Sequence, residues 1–203
     1  DISFNGKDFT SSNSSFYFFQ IDGARPRSGP SGGSSKGIEI YGSGFINNPN
    51  ASCVVNYQDF KPLSVKWNKM LCPMPQNPAG KHKEGSVTFE VTVNGVDYKK
   101  FERGFHYYKQ PVIEDVEPLT GPVSGGSILT IYGEPFRSDY DLANVTCSVG
   151  GFISQATIKD QHTIQCYTPK MQKPTNGTEL RVSIAMNGQD YTKNNQTYSV
   201  YGL

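Results

Sequence analysis

The chain has 203 residues, enough for one large domain or two of about a hundred residues each. Its 21 glycines, 13 prolines and 12% aromatic residues favour short strands joined by turns over long helices. Basic and acidic residues nearly cancel, to a formal charge of +1, which excludes a strong field for nucleic acid or an anionic membrane. No apolar run approaches the roughly 20 residues that cross a bilayer. The first residues lack the charged, apolar and small-residue blocks of an export leader, so a leader for an exported protein is expected outside this numbering.

In chain order, the first feature is Asn5-Gly6-Lys7-Asp8-Phe9, followed by the aromatic run Phe16-Tyr17-Phe18-Phe19. The same order returns as Asn94-Gly95-Val96-Asp97-Tyr98 before Phe105-His106-Tyr107-Tyr108, and as Asn187-Gly188-Gln189-Asp190-Tyr191 before Tyr198-Ser199-Val200-Tyr201. The later copies follow alternating apolar residues, Val87, Phe89, Val91 and Val93, then Leu180, Val182, Ile184 and Met186. Alternation predicts a strand with one buried face. Asn-Gly supplies the positive φ of a type I′ turn, so each copy reads as a β-hairpin.

Other features occur twice. Gly29-Pro30 with Gly32-Gly33 matches Gly121-Pro122 with Gly125-Gly126, and Ile38, Ile40, Tyr41-Gly42 and Phe45 match Leu129, Ile131, Tyr132-Gly133 and Phe136. Cys53 and Cys72 match Cys147 and Cys166. The repeat is about ninety residues, one immunoglobulin-sized unit. The expected domains are therefore 24–109 and 110–203, with 1–23 as the closing hairpin of an upstream unit. A lone hairpin is marginal in water, so the leading one is expected to belong to a preceding domain rather than to dock on another subunit.

Pro111-Val112-Ile113-Glu114-Asp115-Val116-Glu117-Pro118, then Gly121-Pro122, Gly125-Gly126 and Ile131-Tyr132-Gly133, resembles the opening of an IPT/TIG domain. Cys72-Pro73-Met74-Pro75 and Cys166-Tyr167-Thr168-Pro169 resemble that family's Cys-x-x-Pro segment, while Ile21–Pro26 departs from its opening pattern. The resemblance implies an all-β fold of tandem Ig-like β-sandwiches of the plexin and fibrocystin kind. It implies function only broadly, because such units occur in receptor ectodomains, long repeat proteins, carbohydrate-acting enzymes and some transcription factors.

Four cysteines allow three pairings. Both copies space theirs identically, so Cys53 with Cys72 and Cys147 with Cys166 respects the repeat, each bridge contributing about 3 kcal/mol. Such bridges belong to an oxidising compartment. Five glycosylation sequons agree with that placement, at Asn13, Asn50, Asn144, Asn176 and Asn195. Asn50 and Asn144 precede the first cysteine of their copies at the same distance.

No catalytic, cofactor-binding or metal-binding set is expected. His82, His106 and His162 are scattered, and no nucleophile has a histidine in a recognisable frame. Asp139 and Asp141 are too few for calcium. Lys66, Lys69, Lys81 and Lys83 around Trp67 read as a solvated face with the indole in the core, a glycan-binding Trp67 being the alternative. The resulting expectation is a non-enzymatic extracellular or cell-surface repeat protein, structural or adhesive and able to form an array or filament. The alternative is a receptor ectodomain. Expected partners are neighbouring repeats, other copies of the chain, or an extracellular protein or glycan, with no nucleic acid and no membrane insertion.

Overall fold

The structure is a computed structural model, described here for residues 1–11, 18–137, 144–171 and 178–202. Among the described residues there are strands and no helix. The first unit holds β1 (Gln20–Arg25), β2 (Ser28–Pro30), β3 (Ser34–Ser43), β4 (Ser52–Val55), β5 (Gln58–Phe60) and β6 (Ser64–Lys66). It continues with β7 (Lys69–Met74), β8 (Gly85–Val87), β9 (Phe89–Thr92), β10 (Tyr98–Lys100) and β11 (Phe105–Tyr108). The second holds β12 (Val112–Glu117), β13 (Thr120–Pro122), β14 (Ile128–Glu134), β15 (Thr146–Val149), β16 (Phe152–Asp160), β17 (Thr163–Tyr167), β18 (Thr178–Ala185) and β19 (Thr197–Tyr201).

In the first unit the order β1-β3-β7-β6 makes one sheet, and β10-β9-β4-β5 with β2-β11-β8 makes the facing layer. The second unit repeats this plan along a continuous ladder, β12-β14-β17-β16-β15-β18-β19-β13. There β16 serves both layers, pairing β17 through Ala156–Asp160 and β15 through Phe152–Gln155. Alternation buries one face of each strand. Met70, Cys72 and Met74 of β7, and Ile164 and Cys166 of β17, point into their cores with Ile38, Phe89 and Tyr107, or with Leu129, Ile184 and Tyr198.

The sheets of each unit are also joined covalently. Cys53 on β4 is bonded to Cys72 on β7, and Cys147 on β15 to Cys166 on β17. All four cysteines are buried. The Gly-Pro-x-Gly-Gly motif has an equally local reason. Gly33 and Gly125 adopt φ of +81° and +71°, and an added Cβ would lie 2.9 Å from Gln76 N or 2.6 Å from Pro169 C. Only glycine fits that turn against the Pro75 and Pro169 backbones.

Three expectations are corrected. β1 begins at Gln20 rather than at residue 24, and Phe19 packs against the first core. The irregular spacing of Ile21–Pro26 hides a strand whose register shifts between Ile21 and Gly23, as that of β12 does between Ile113 and Asp115. The Asn-Gly turns are not type I′, because positive φ falls on Gly6, Gly95 and Gly188 but not on their asparagines. The chain also returns from the turn onto β10 in the first unit, and onto a single bridge between Ala185 and Tyr191 in the second, before β11 or β19 forms. β8 and β9 read as one alternating strand, yet β8 pairs β11 while β9 pairs β4, so the strand changes partner at Thr88. Phe16, Tyr17 and Asn13 lie outside the described residues.

Replacing Cys53 and Cys72 together by alanine should remove about 3 kcal/mol from the first unit. At roughly 4–8 °C per kcal/mol for a domain of this size, calorimetry should show its transition fall well below that of the second unit. An unchanged first transition would show that packing alone holds the sheets.

Candidate functional site at the joint between the two units

The repeated Asn-Gly-x-Asp turn is closed by its own side chains. In the second unit, Asn187 Oδ1 accepts from Gln189 N at 3.2 Å and Asp190 N at 2.9 Å, and Asn187 Nδ2 donates to Asp190 Oδ2 at 2.8 Å. In the first, Asn94 makes the same bonds to Val96 N, Asp97 N and Asp97 Oδ2 at 3.0, 2.9 and 2.7 Å. Asn5 repeats them with Lys7 N, Asp8 N and Asp8 Oδ2 at 2.9, 2.8 and 2.6 Å. An asparagine that satisfies two backbone donors makes a preformed Asx turn, and glycine follows because the next residue must take positive φ.

Only the last copy meets a neighbour among the described residues. Its Asn187 Nδ2 also donates to Ser28 O of the first unit at 2.9 Å, and Asn187 is buried. Ser34 donates its hydroxyl to Asp190 Oδ1, Lys36 Nζ donates to Gln189 O at 2.5 Å, and Gln189 Nε2 donates to Gly37 O at 3.0 Å. Lys36 Nζ also lies 5.7 Å from the centroid of the Tyr191 ring. The first unit thus offers a socket, Ser28 with Ser34–Gly37, and the second unit offers the plug.

Tyr108 anchors the joint from the other side. It ends β11 of the first unit but belongs to the apolar core of the second, with Ile113, Val116 and Phe136. Burial, then the charge of Asp190, raises its phenol well above the ordinary tyrosine range. Arg137 Nη1 meets Glu84 Oε2 at 3.1 Å across the same junction. Just 109–111 connect β11 to β12. Two clefts flank the joint. One of about 690 Å³ is lined by Arg25, Arg27, Tyr41, Asn144 and Asn187, and one of about 780 Å³ by Lys36, Lys109, Asp190 and Tyr191.

The predicted site residues distribute as follows. Asn50, Asn144 and Asn195 are exposed, while Asn176, Asp139 and Asp141 lie outside the described residues. Asn50 and Asn144 each sit against the plug of their own unit: an added Cβ on Gly95 or Gly188 would lie 3.1 or 3.2 Å from the asparagine Cβ. Trp67 is not in the core but 62% exposed, because it occupies the turn between β6 and β7. The four lysines do not form one patch. Lys69 is tied to Glu39 at 2.9 Å, whereas Lys81 lines the cleft at the joint. The hydrogen bond from Tyr41, and then that from Lys69, lowers the Glu39 carboxyl. His106 Nδ1 meets Ser86 Oγ at 3.0 Å, and no group of three or more His, Cys, Asp or Glu able to hold a metal occurs among the described residues. The socket was invisible in the sequence, whereas the plug had a signal there, a turn kept three times with an aspartate at its fourth place.

Asn187→Ala should cost the second unit about 1–3 kcal/mol, because it opens the turn and strands Ser28 O at the joint. Asn94→Ala opens an equivalent turn without the second loss and should cost the first unit less. Chemical denaturation of both variants measures the difference, and equal losses would show that the bond to Ser28 contributes nothing.

Comparison with known proteins agrees with this architecture. The family model described as the IPT/TIG domain matches residues 19–107 and 111–200. Human fibrocystin-L is 29% identical over 160 residues, covering 77% of this chain, and mouse fibrocystin-L is 29% identical over 163 residues, covering 80%. The chain spans 4% of the length of each of these relatives. Among solved structures, the full extracellular region of plexin A4, domains 1 to 10, superposes with a TM-score of 0.57 at 15% identity, over 91% of this chain and 16% of that one. A second plexin A4 structure, domains 1 to 8, gives 0.51 at 19% identity over 93% and 19%. At those identities the likeness speaks for the fold. A preformed plug, an inter-sheet disulfide at the same place in each unit and a two-fold family match over most of the chain lead to one assignment: this chain belongs to the IPT/TIG domain family and carries two copies of that domain in tandem.

Proposed function

We propose that the chain is a segment of an extracellular, non-enzymatic glycoprotein in which IPT/TIG repeats join end to end into a stiff, disulfide-stapled rod. The observation that carries this reading is the joint. Asn187, Gln189 and Asp190 bond to the preceding repeat, Tyr108 enters the following core, and just 109–111 intervene. So short and occupied a connection favours a fixed angle over a flexible linker. Two disulfides support an oxidising compartment. Exposed sequons at Asn50, Asn144 and Asn195 support a glycan-bearing surface, with Asn13 and Asn176 as further acceptors.

The setting best supported is the ectodomain of a cell-surface receptor, where such repeats space and present surfaces to an extracellular protein. The relation to fibrocystin-L and the shared fold with an extracellular region of plexin A4 support it. A structural or adhesive array is the second reading, and the end-to-end joint is what favours it.

Non-reducing peptide mapping of the protein secreted from eukaryotic cells tests the compartment. Cys53–Cys72 and Cys147–Cys166 peptides are expected without free thiol, with glycan on at least three of the five sequon asparagines. Labelled free thiols together with bare asparagines on native material would overturn the proposal.

A further inference from the structure

The joint uses one end of each repeat, and at the corresponding end of the first repeat Val96, Tyr98 and Trp67 are exposed. Glu84 lies at the joint, and the chain runs away from it through β8 and β9 to the Asn94–Tyr98 turn. β3 likewise leaves the joint at Ser34, and its far end receives the β6–β7 turn, where Phe45 N donates to Trp67 O at 3.0 Å. The far end of the first repeat therefore carries both the second plug and Trp67. Val96 is 77% exposed there, Trp67 62% and Tyr98 50%.

Register identifies the counterparts in the second repeat. Gly133 N donates to His162 O and Phe136 N to Gln161 O, as Gly42 N does to Asn68 O and Phe45 N to Trp67 O, so Trp67 corresponds to Gln161. Val96 corresponds to Gln189. The docked turn is thus polar at Gln189 where the other turn is apolar at Val96, although the turn geometry is the same, while Gln161 stays exposed. Val96 and Tyr98 line one cleft with Asn50 and Phe60, and exposed apolar side chains grouped in this way mark a contact surface. Gln189 reaches Gly37 O in the existing socket. Ile38 and Leu129 pair with Cys72 and Cys166 respectively, so the socket position of Gly37 is held by Ile128 in the second repeat, 51% exposed. An apolar plug residue fits a socket of that second kind.

We infer that Val96 and Tyr98 form the docking face for a preceding IPT/TIG repeat of the same chain, seated as Asn187–Tyr191 is seated on Ser28 and Ser34–Gly37. Continuity with the existing joint argues for that occupant. So does the third copy of the turn, Asn5–Asp8, which carries the same internal bonds ahead of β1. Asp97 takes a hydroxyl from the preceding socket, as Asp190 takes that of Ser34, and Val96 meets an apolar residue at the position of Gly37 and Ile128. The inference rests on the end-to-end reading proposed above. It is separable from the compartment, which thiols and glycans report independently.

Hydroxyl-radical footprinting of the full-length protein tests it, with Tyr57, 78% exposed, as the internal standard. Oxidation of Tyr98 should fall to the level of Tyr191, while Tyr57 stays reactive. Val96→Lys should restore oxidation at Tyr98 without moving the melting temperature. Tyr98 reacting as fast as Tyr57 would overturn the inference, as would a full-length sequence with no repeat before residue 1. Protection lost on dilution would assign the face to a second copy instead. Protection lost on enzymatic deglycosylation would assign it to glycan on Asn50 beside the turn.

Discussion

One side chain carries the relation between the two repeats. Asn187 closes its own turn with two backbone hydrogen bonds and, with its amide, reaches Ser28 O of the neighbouring unit. Because the turn is closed internally, little conformational freedom is lost on docking, and the bonds from Ser34, Lys36 and Gln189 form between groups already in place. Had the turn been an open loop, each of those bonds would have carried the cost of ordering it.

The plug works because what lies behind it is rigid. Each sandwich is cross-linked between its layers, Cys53 to Cys72 and Cys147 to Cys166, at positions fully enclosed by Ile, Val, Met and aromatic side chains. The disulfides limit the unfolded ensemble, while the packing selects one native arrangement. Tyr108 crosses the boundary, since a residue of one repeat's last strand is part of the next repeat's core. Its phenol stays neutral because ionising it would place a charge in that core beside Asp190.

The two repeats share a frame but not a surface chemistry. The same turn is polar where it meets Gly37 and apolar where it carries Val96, and the same socket position is glycine in one repeat and isoleucine in the other. A uniform plug and socket would pair promiscuously, and differences at these few positions are the kind of feature that separates one pairing from another. Asn50 and Asn144 each lie against the turn of their own unit.

The sequence by itself determined the repeat, the strands and the covalent frame. Alternation at Val87–Val93 and Leu180–Met186, the Gly-Pro-x-Gly-Gly turn and the equal cysteine spacing are local or periodic signals, and each has a local cause. Only the tertiary structure decided what depends on a distant partner. The change of pairing at Thr88 follows from which strand arrives on either side, and the true start of β1 was masked by its shift in register. Trp67 faces solvent because a two-residue turn between β6 and β7 leaves no layer above it. The seat of Asn187 on Ser28 joins residues 159 apart in the chain, and no periodicity within either repeat encodes a contact between them.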